Sequence, residues 1–253
     1  MIIDTHAHYD HRQFDRDRHD ILSNLPTNGV EFIINVGCDL KTIRASVKFA
    51  KIYSHVYASV GVHPHYVKDL SEEAFGEVCE LAKNERVVAY GETGLDFFHN
   101  FSPPDIQRQW FKKQLAFAHK LGKPLIIHSR DANDEVFQTI SDSPVRHGVI
   151  HSFSGDAALA ERYVEMGFYI GIGGVVTFPK ARTLKDAVAA VPLSHIILET
   201  DCPYLTPEPH RGKRNDSTHL IFVAEEIAKI KKIPYDDVCR QTTMNAKKLF
   251  NLS

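Results

Sequence analysis

Short, nearly unbroken apolar runs rich in β-branched residues recur along the chain. They fall at Met1–Asp4, Phe32–Val36, Val56–Val60, Val87–Tyr90, Leu125–Ile127, Val149–Ile150, Phe168–Ile172 and Ile196–Leu198. Runs that do not alternate with polar residues are expected of parallel strands covered on both faces. Helical spacing fills the gaps, most clearly over Pro104–Leu121. There Ile106, Trp110, Phe111, Leu115 and Ala118 share one stripe while Lys112, Lys113 and Lys120 point away. Pro103 and Pro104 open this helix and Gly122 closes it. Further helices are predicted over Leu40–Ile52, Ser71–Lys83, Ala132–Ile140, Ala157–Met166, Arg182–Ala190, Thr218–Lys231 and Tyr235–Lys247. Eight strands, each followed by a helix, predict an α/β fold of the closed (β/α)8 TIM-barrel type rather than an open doubly wound sheet. No linker, low-complexity tract or charge block divides residues 1–253, so a single domain is expected.

Composition narrows the function. The 253 residues are 43% hydrophobic, enough for one sizeable core. A net charge of −2 argues against a protein that coats duplex nucleic acid, so any phosphate recognition must be local. No stretch approaches the roughly 18 apolar residues of a membrane span. The start of the chain lacks a secretory pattern. Cys38, Cys79, Cys202 and Cys239 lie far apart without CxxC spacing, as expected of reduced thiols in a cytoplasmic protein.

The chemistry gathers at the strand ends. Parallel barrels place their active-site residues at the C-terminal ends of strands. Read in order, those ends carry His6 and His8, Asn35, His63, Glu92, His128 and Arg130, His151, Gly173, then Glu199 and Asp201. Residues i and i+2 of a strand share a face, so each spaced pair can point at the barrel axis. Four imidazoles and two carboxylates (His6, His8, Glu92, His128, His151 and Asp201) are ligands that divalent cations accept. Six exceed the need of one catalytic ion, and Glu92 on the middle strand could bridge two. His63 stands open between a substrate contact and a structural role. Glu199 could orient a ligand or touch substrate. His11, His19, His55, His99, His119, His147, His195, His210 and His219 read as surface or turn residues.

The strings Asp-Thr-His-Ala-His (4–8), Gly-Val-His-Pro-His (61–65), Gly-Glu-Thr-Gly-Leu-Asp (91–96), His-Ser-Arg-Asp-Ala (128–132), His-Ser-Phe-Ser-Gly (151–155), Glu-Thr-Asp-Cys-Pro-Tyr-Leu (199–205) and Arg-Gly-Lys-Arg-Asn (211–215) follow one another in register. Together they resemble the TatD-type metal-dependent deoxyribonucleases of the amidohydrolase-like superfamily, from residue 4 to about residue 248. The resemblance implies a barrel, a two-metal centre and hydrolysis of phosphodiester bonds in DNA. By position it implies that His6, His8, Glu92 and Asp201 hold one ion and that Glu92, His128 and His151 hold the other. It also implies that His63 and Arg130 contact the scissile phosphate. Cys202, and Asp216-Ser217-Thr218 after the basic string, depart from the family's pattern; Asp216 or Ser217 can still cap the next helix.

Two cations suit a phosphodiester because they offset its charge and lower the pKa of a water. Asp201 could bind metal and also accept the water's proton. Arg130 faces the axis beside His128, and a guanidinium matches phosphate geometry. Arg211, Lys213 and Arg214 form a short basic cluster after the last active strand, and Gly171, Gly173 and Gly174 could let backbone N–H groups approach an anion. Phe97, Phe98, Phe101, Phe153 and Tyr204 offer a platform for unpaired bases. A DNA substrate is therefore expected, single-stranded or frayed, trimmed from an end. The ligand set accepts Zn2+, Mn2+, Co2+ or Mg2+. The same centre could also hydrolyse a small amide, lactone or ester, or an aminoacyl ester on RNA. A metal-binding scaffold has no need of the added base.

Overall fold

The computed structural model describes residues 1–252. The strands are β1 (Ile2–Ala7), β2 (Val30–Val36), β3 (Val56–Val60), β4 (Val87–Asp96), β5 (Leu125–Arg130), β6 (Gly148–Ile150), β7 (Tyr169–Ile172) and β8 (Ile196–Leu198). They pair in chain order, each neighbour parallel. The ring closes between β1 and the segment just past β8. There Asp201 N–H donates to His6 O and His8 N–H to Cys202 O, both at 2.9 Å. Asp4 clasps the same seam, accepting from Thr200 N at 3.0 Å and from the hydroxyls of Thr200 and Ser217 at 2.6 Å.

Each strand is buried on both faces, which is why its sequence reads as an apolar run. Outward residues such as Ile33, Val60, Tyr90, Leu125 and Leu198 pack against the helices. These are α1 (Arg18–Asn24), α2 (Leu40–Ile52), α3 (Glu72–Leu81), α4 (Pro104–Leu121), α5 (Asn133–Ser141), α6 (Ala157–Glu165), α7 (Arg182–Ala190) and α8 (Leu220–Lys231). Inward residues form a separate layer from every strand: Ile3, Ile34, Tyr57, Ala89, Ile126, Val149, Tyr169 and Ile197. A last helix, α9 (Tyr235–Phe250), sends Ala246, Leu249 and Phe250 into that layer and plugs the N-terminal end of the barrel.

Two helices differ from the sequence-based expectation. α1 follows β1 but leaves little periodic signal, because its seven residues bury only Leu22. The helix expected at Tyr235–Lys247 is the plug and stands outside the ring. The caps behave as local chemistry demands. Asp39, Ser71 and Asp156 each accept a backbone N–H of the first turn they precede, Gly122 ends α4 in the left-handed conformation, and Asp216 caps the 3-10 turn Ser217–His219 that leads into α8. No helix among the described residues is long and apolar enough to cross a membrane.

Simple alternation from the inner layer does not bring the candidate ligands to the axis. Counting by twos from Ile3 leads to Ala7, yet Ile3 lies in the inner layer and Ala7 packs outward. The phase changes because three steps on β1, from Asp4 to Ala7, match two on β2, from Ile33 to Asn35. β4 repeats the device: Ala89 faces in and Leu95 out, and Tyr90 to Thr93 spans only Leu125 to Ile127 on β5. A bulge of this kind re-aims the residues beyond it. His6, His8 and Glu92 thereby turn inward above the apolar floor. Gly91 makes the second bulge possible, since at its φ of +153° a Cβ would lie 2.4 Å from Ile126 O.

Candidate metal centre

His6, on the bulged part of β1, is fully buried, and its Nε2 lies 3.1 Å from His8 Nε2, 3.4 Å from Glu92 Oε2 and 3.9 Å from Asp201 Oδ1. His8 Nε2 is 3.3 Å from Asp201 Oδ1, while its Nδ1 meets Val36 O at 3.0 Å. The Val36 carbonyl fixes a proton on Nδ1 and so leaves the Nε2 lone pair free for the cluster. Asp201 sits just beyond β8 in a left-handed turn (φ 56°), held by its backbone bond to His6 O.

Glu92 stands between two sets of imidazoles. Its Oε2 faces His6, and its Oε1 lies 2.8 Å from His128 Nδ1, 3.5 Å from His63 Nε2 and 3.9 Å from His151 Nε2. His151 stacks on His6 with ring centroids 3.4 Å apart, and its Nε2 is 3.9 Å from Asp201 Oδ1. Burial alone would raise the pKa of Glu92, but His63, His6 and His128 hold it well below the ordinary carboxylate range. Burial likewise opposes ionisation of Asp201, yet its hydrogen bond to His8 and the nearby His151 hold its pKa down. Both carboxylates are thus ionised at neutral pH.

The donor set fits divalent cations on chemical grounds. Ring nitrogens of His6 and His8 face each other at 3.1 Å, with two carboxylates beside them and His6 wholly shielded from solvent. Protons can bridge some of these acceptors but not all, and an ion satisfies them together. Two groups, His6–His8–Glu92 and His63–Glu92–His128, bring ligand atoms within 4.8 Å of one another and share Glu92. A third such group, His6–His151–Glu199, extends behind His151.

Neighbours of these residues act as supports. Glu199 is buried, its Oε1 accepting Ser152 N–H at 2.5 Å and standing 3.0 Å from His151 Nδ1. This places it behind the imidazole, where it biases the ring's orientation. His128 Nε2 is 3.1 Å from Asp96 Oδ2, a carboxylate behind the β5 imidazole in the same manner. Cys38 Sγ lies 3.6 Å from Glu92 Oε2; burial pushes this thiol up to about 12, so it stays a neutral donor. His63 is also buried, and desolvation holds it well below its ordinary pKa, which keeps it neutral against Glu92.

Several residues lie elsewhere than their sequence position suggests. Asn35 is a scaffold residue, bonded to Tyr9 N, Asp10 and Ser46. Arg130 is exposed at the end of β5, its guanidinium 5.0 Å from the Phe98 ring, so it stands on the rim and not on the axis with His128. Arg214 makes two bonds to Asp17, at 2.9 and 2.6 Å, and packs over Phe14, which ties the basic loop to the segment after β1. Arg211 is exposed over Phe178, and Lys213 is exposed. The space beside Gly171 is taken by Glu199 and that beside Gly174 by Leu205 O, so these glycines admit protein and not an anion. Phe98, Phe101 and Tyr204 are exposed at the mouth, Phe97 is half-buried, and Phe153 is buried in the core.

Sequence reasoning passed over two glutamines of α4. Gln114 accepts Val62 N–H at 2.8 Å and donates to Val62 O at 2.9 Å, just before His63. Gln107 grips Asp96 by both backbone groups, at 2.8 and 2.9 Å. Their one available signal is a polar residue on an otherwise apolar helical stripe.

Similarity to known proteins runs along nearly the whole chain. Residues 3–251 match the family described as TatD related DNase. The chain is similar to YabD of Bacillus subtilis (strain 168), described as an uncharacterized metal-dependent hydrolase, with 39% identity over 255 residues and all of both chains covered. It is 33% identical to YcfH of Escherichia coli (strain K12), which carries the same description, covering 100% of this chain and 96% of that one. The solved structure of YjjV, a TatD homologue from Escherichia coli K12, superposes with a TM-score of 0.92 at 32% identity, covering 100% of this chain and 98% of the other.

Proposed function

The chain belongs to the TatD related DNase family and is a metal-dependent hydrolase, and from that premise we propose that it is a deoxyribonuclease trimming single-stranded or frayed DNA ends. The observation that carries a two-ion reading is the split orientation of Glu92, with one oxygen toward His6 and the other toward His128, His63 and His151. In this reading His6, His8, Glu92 and Asp201 would hold one cation, and Glu92, His128 and His151 would hold the other. Two such cations (Zn2+, Mn2+, Co2+ or Mg2+) would supply charge to offset the phosphodiester and would lower the pKa of a nearby water.

The remaining work falls to the chain itself. Asp201, ionised and partly open to solvent, accepts the proton of the attacking water. Glu199 and Asp96 hold His151 and His128 from behind, so these rings need not reorganise during reaction. His63 and Arg130 are assigned to the scissile phosphate, the first on the floor and the second on the rim. Arg211 and Lys213 serve phosphates farther along the strand. Exposed Phe98, Phe101 and Tyr204 provide faces on which unpaired bases can stack. The small net charge favours such local contacts over a broad duplex footprint.

A substrate panel tests the proposal. Purified protein is stripped with chelator, reloaded with each metal in turn, and offered labelled single- and double-stranded DNA, RNA, and a set of lactones and carboxylic esters. Cleavage of single-stranded DNA from an end, at rates above those for the carbonyl compounds, is expected. Turnover confined to the carbonyl compounds would replace the nuclease assignment with a carbonyl-hydrolase one.

A further inference from the structure

Beside the centre described above, His65, Asp96 and His99 form a second convergence of ligand atoms. His65 Nε2 lies 2.7 Å and His99 Nδ1 3.1 Å from the same oxygen, Asp96 Oδ2. All three side chains offer atoms within 4.8 Å of one another. We propose that His65, Asp96 and His99 make a peripheral site for one further borderline divalent cation of the Zn2+ class, at the rim of the barrel mouth. None of its three residues is among the six ligands of the main centre, so the site stands independently of the two-ion reading.

The geometry is built and not incidental. Asp96 is almost wholly buried, and its Oδ1 is fully engaged by the N–H groups of Phe98 and His99 at 3.1 and 2.9 Å. Its backbone is clamped at both ends by Gln107. These bonds aim Oδ2 at the imidazoles. His65 is steadied through its carbonyl, which accepts from Ser102 Oγ at 3.0 Å, and the Phe101 ring packs against both His65 and His99. Oδ2 also lies 3.1 Å from His128 Nε2, so three imidazoles compete for one oxygen. A cation relieves that competition: the oxygen keeps the His128 proton on one lone pair and gives the other to the ion.

Two imidazoles and one carboxylate are a recurrent set for borderline divalent metals. Ligand atoms about 2.1 Å from a tetrahedral ion stand roughly 3.4 Å apart. The present 2.7 and 3.1 Å need to open only slightly. His99 is 42% exposed, which leaves coordination positions facing solvent at the mouth, open to water or to a substrate oxygen.

The test compares the parent with His99→Ala, a substitution at an exposed position outside the main centre. Both proteins are stripped, reloaded with Co2+, desalted and analysed for cobalt and visible absorbance. Zn2+ titration by calorimetry then reports affinities. The readout is the difference between the two proteins, so it holds whether the main centre takes one ion or two. The proposal expects His99→Ala to bind one ion fewer, or to bind that ion at least about a hundredfold more weakly, no less than the loss of an outer-shell partner costs. Its thermal melt without metal should be unchanged. Equal cobalt content and equal Zn2+ isotherms would overturn the site. His65→Gln, which keeps the polar packing but removes the ring nitrogens, should reproduce the loss.

Discussion

The carboxylate of Glu199 fills the space in which a side chain at Gly171 would stand, its Oε2 only 2.4 Å from the place of a Cβ there. Strand β7 thus yields its side chain so that a buried acid can sit behind His151. Gly171→Ala should push Glu199 off His151. Overpacking of this kind costs about 1–3 kcal/mol, and a misdirected ligand costs about tenfold or more in activity or metal affinity. Unfolding midpoints and turnover at saturating metal measure the two effects. A variant equal to the parent in both would show that Glu199 does not support the imidazole.

Gln114 offers a cleaner test of scaffolding, because it touches no ligand side chain. Gln114→Leu keeps the helix stripe apolar but strips Val62 of partners for both its N–H and its C=O. Buried groups left unpaired cost about 1–3 kcal/mol each. Denaturant unfolding should therefore show a clear loss of stability, with His63-dependent activity falling alongside. An unchanged midpoint would mean that water replaces the amide without penalty.

The basic loop divides into two roles. Arg211 and Lys213 are exposed and free to meet substrate, whereas Arg214 is bonded to Asp17. Arg211→Gln with Lys213→Gln should weaken oligonucleotide binding and flatten its salt dependence by up to about one unit of slope per lost phosphate contact. Hydrolysis of a minimal phosphodiester should hardly change. Arg214→Gln should instead lower stability by no more than about 1 kcal/mol, the scale of a partly exposed ion pair. If all three substitutions act alike on binding, the division is wrong.

Much of the barrel was legible because strands covered on both faces write themselves as apolar runs, as at Phe32–Val36 and Val56–Val60. α1 was not, since one buried leucine in seven residues makes no periodic stripe. The candidate ligands were legible from their places at strand ends. Their inward aim was less so: it depends on bulges in β1 and β4, and while Gly91 within its apolar run hints at the second, no residue type in Asp4–His8 announces the first. Asp96, His65, Gln107 and Gln114 escaped for a related reason. Their importance lies in one-to-one bonds between elements distant in sequence, and hydrophobic patterning carries no trace of such bonds.

Ions that bind the folded chain alone must stabilise it. Chelation should lower the melting temperature, and readdition of Zn2+ or Mn2+ at about a hundred times its dissociation constant should restore about 2.7 kcal/mol per site. A Glu92→Ala protein should lose the part of this recovery owed to the main centre, because both of its ligand groups share that carboxylate, and keep only the part owed to the separate His65–Asp96–His99 site. Full recovery in Glu92→Ala would remove it from the centre.

The proposed hydrolysis of phosphodiesters takes place at the His6–His8–Glu92–Asp201 cluster, with Asp201 taking the proton of the attacking water. Its most direct test is single-turnover cleavage of a labelled single-stranded oligonucleotide by parent and Asp201→Asn proteins brought to the same measured metal content. The parent should cleave only when metal is present, and Asp201→Asn should be slower by at least about a hundredfold, the scale of a positioned general base. Cleavage by Asp201→Asn at the parent's rate and metal content would contradict that role.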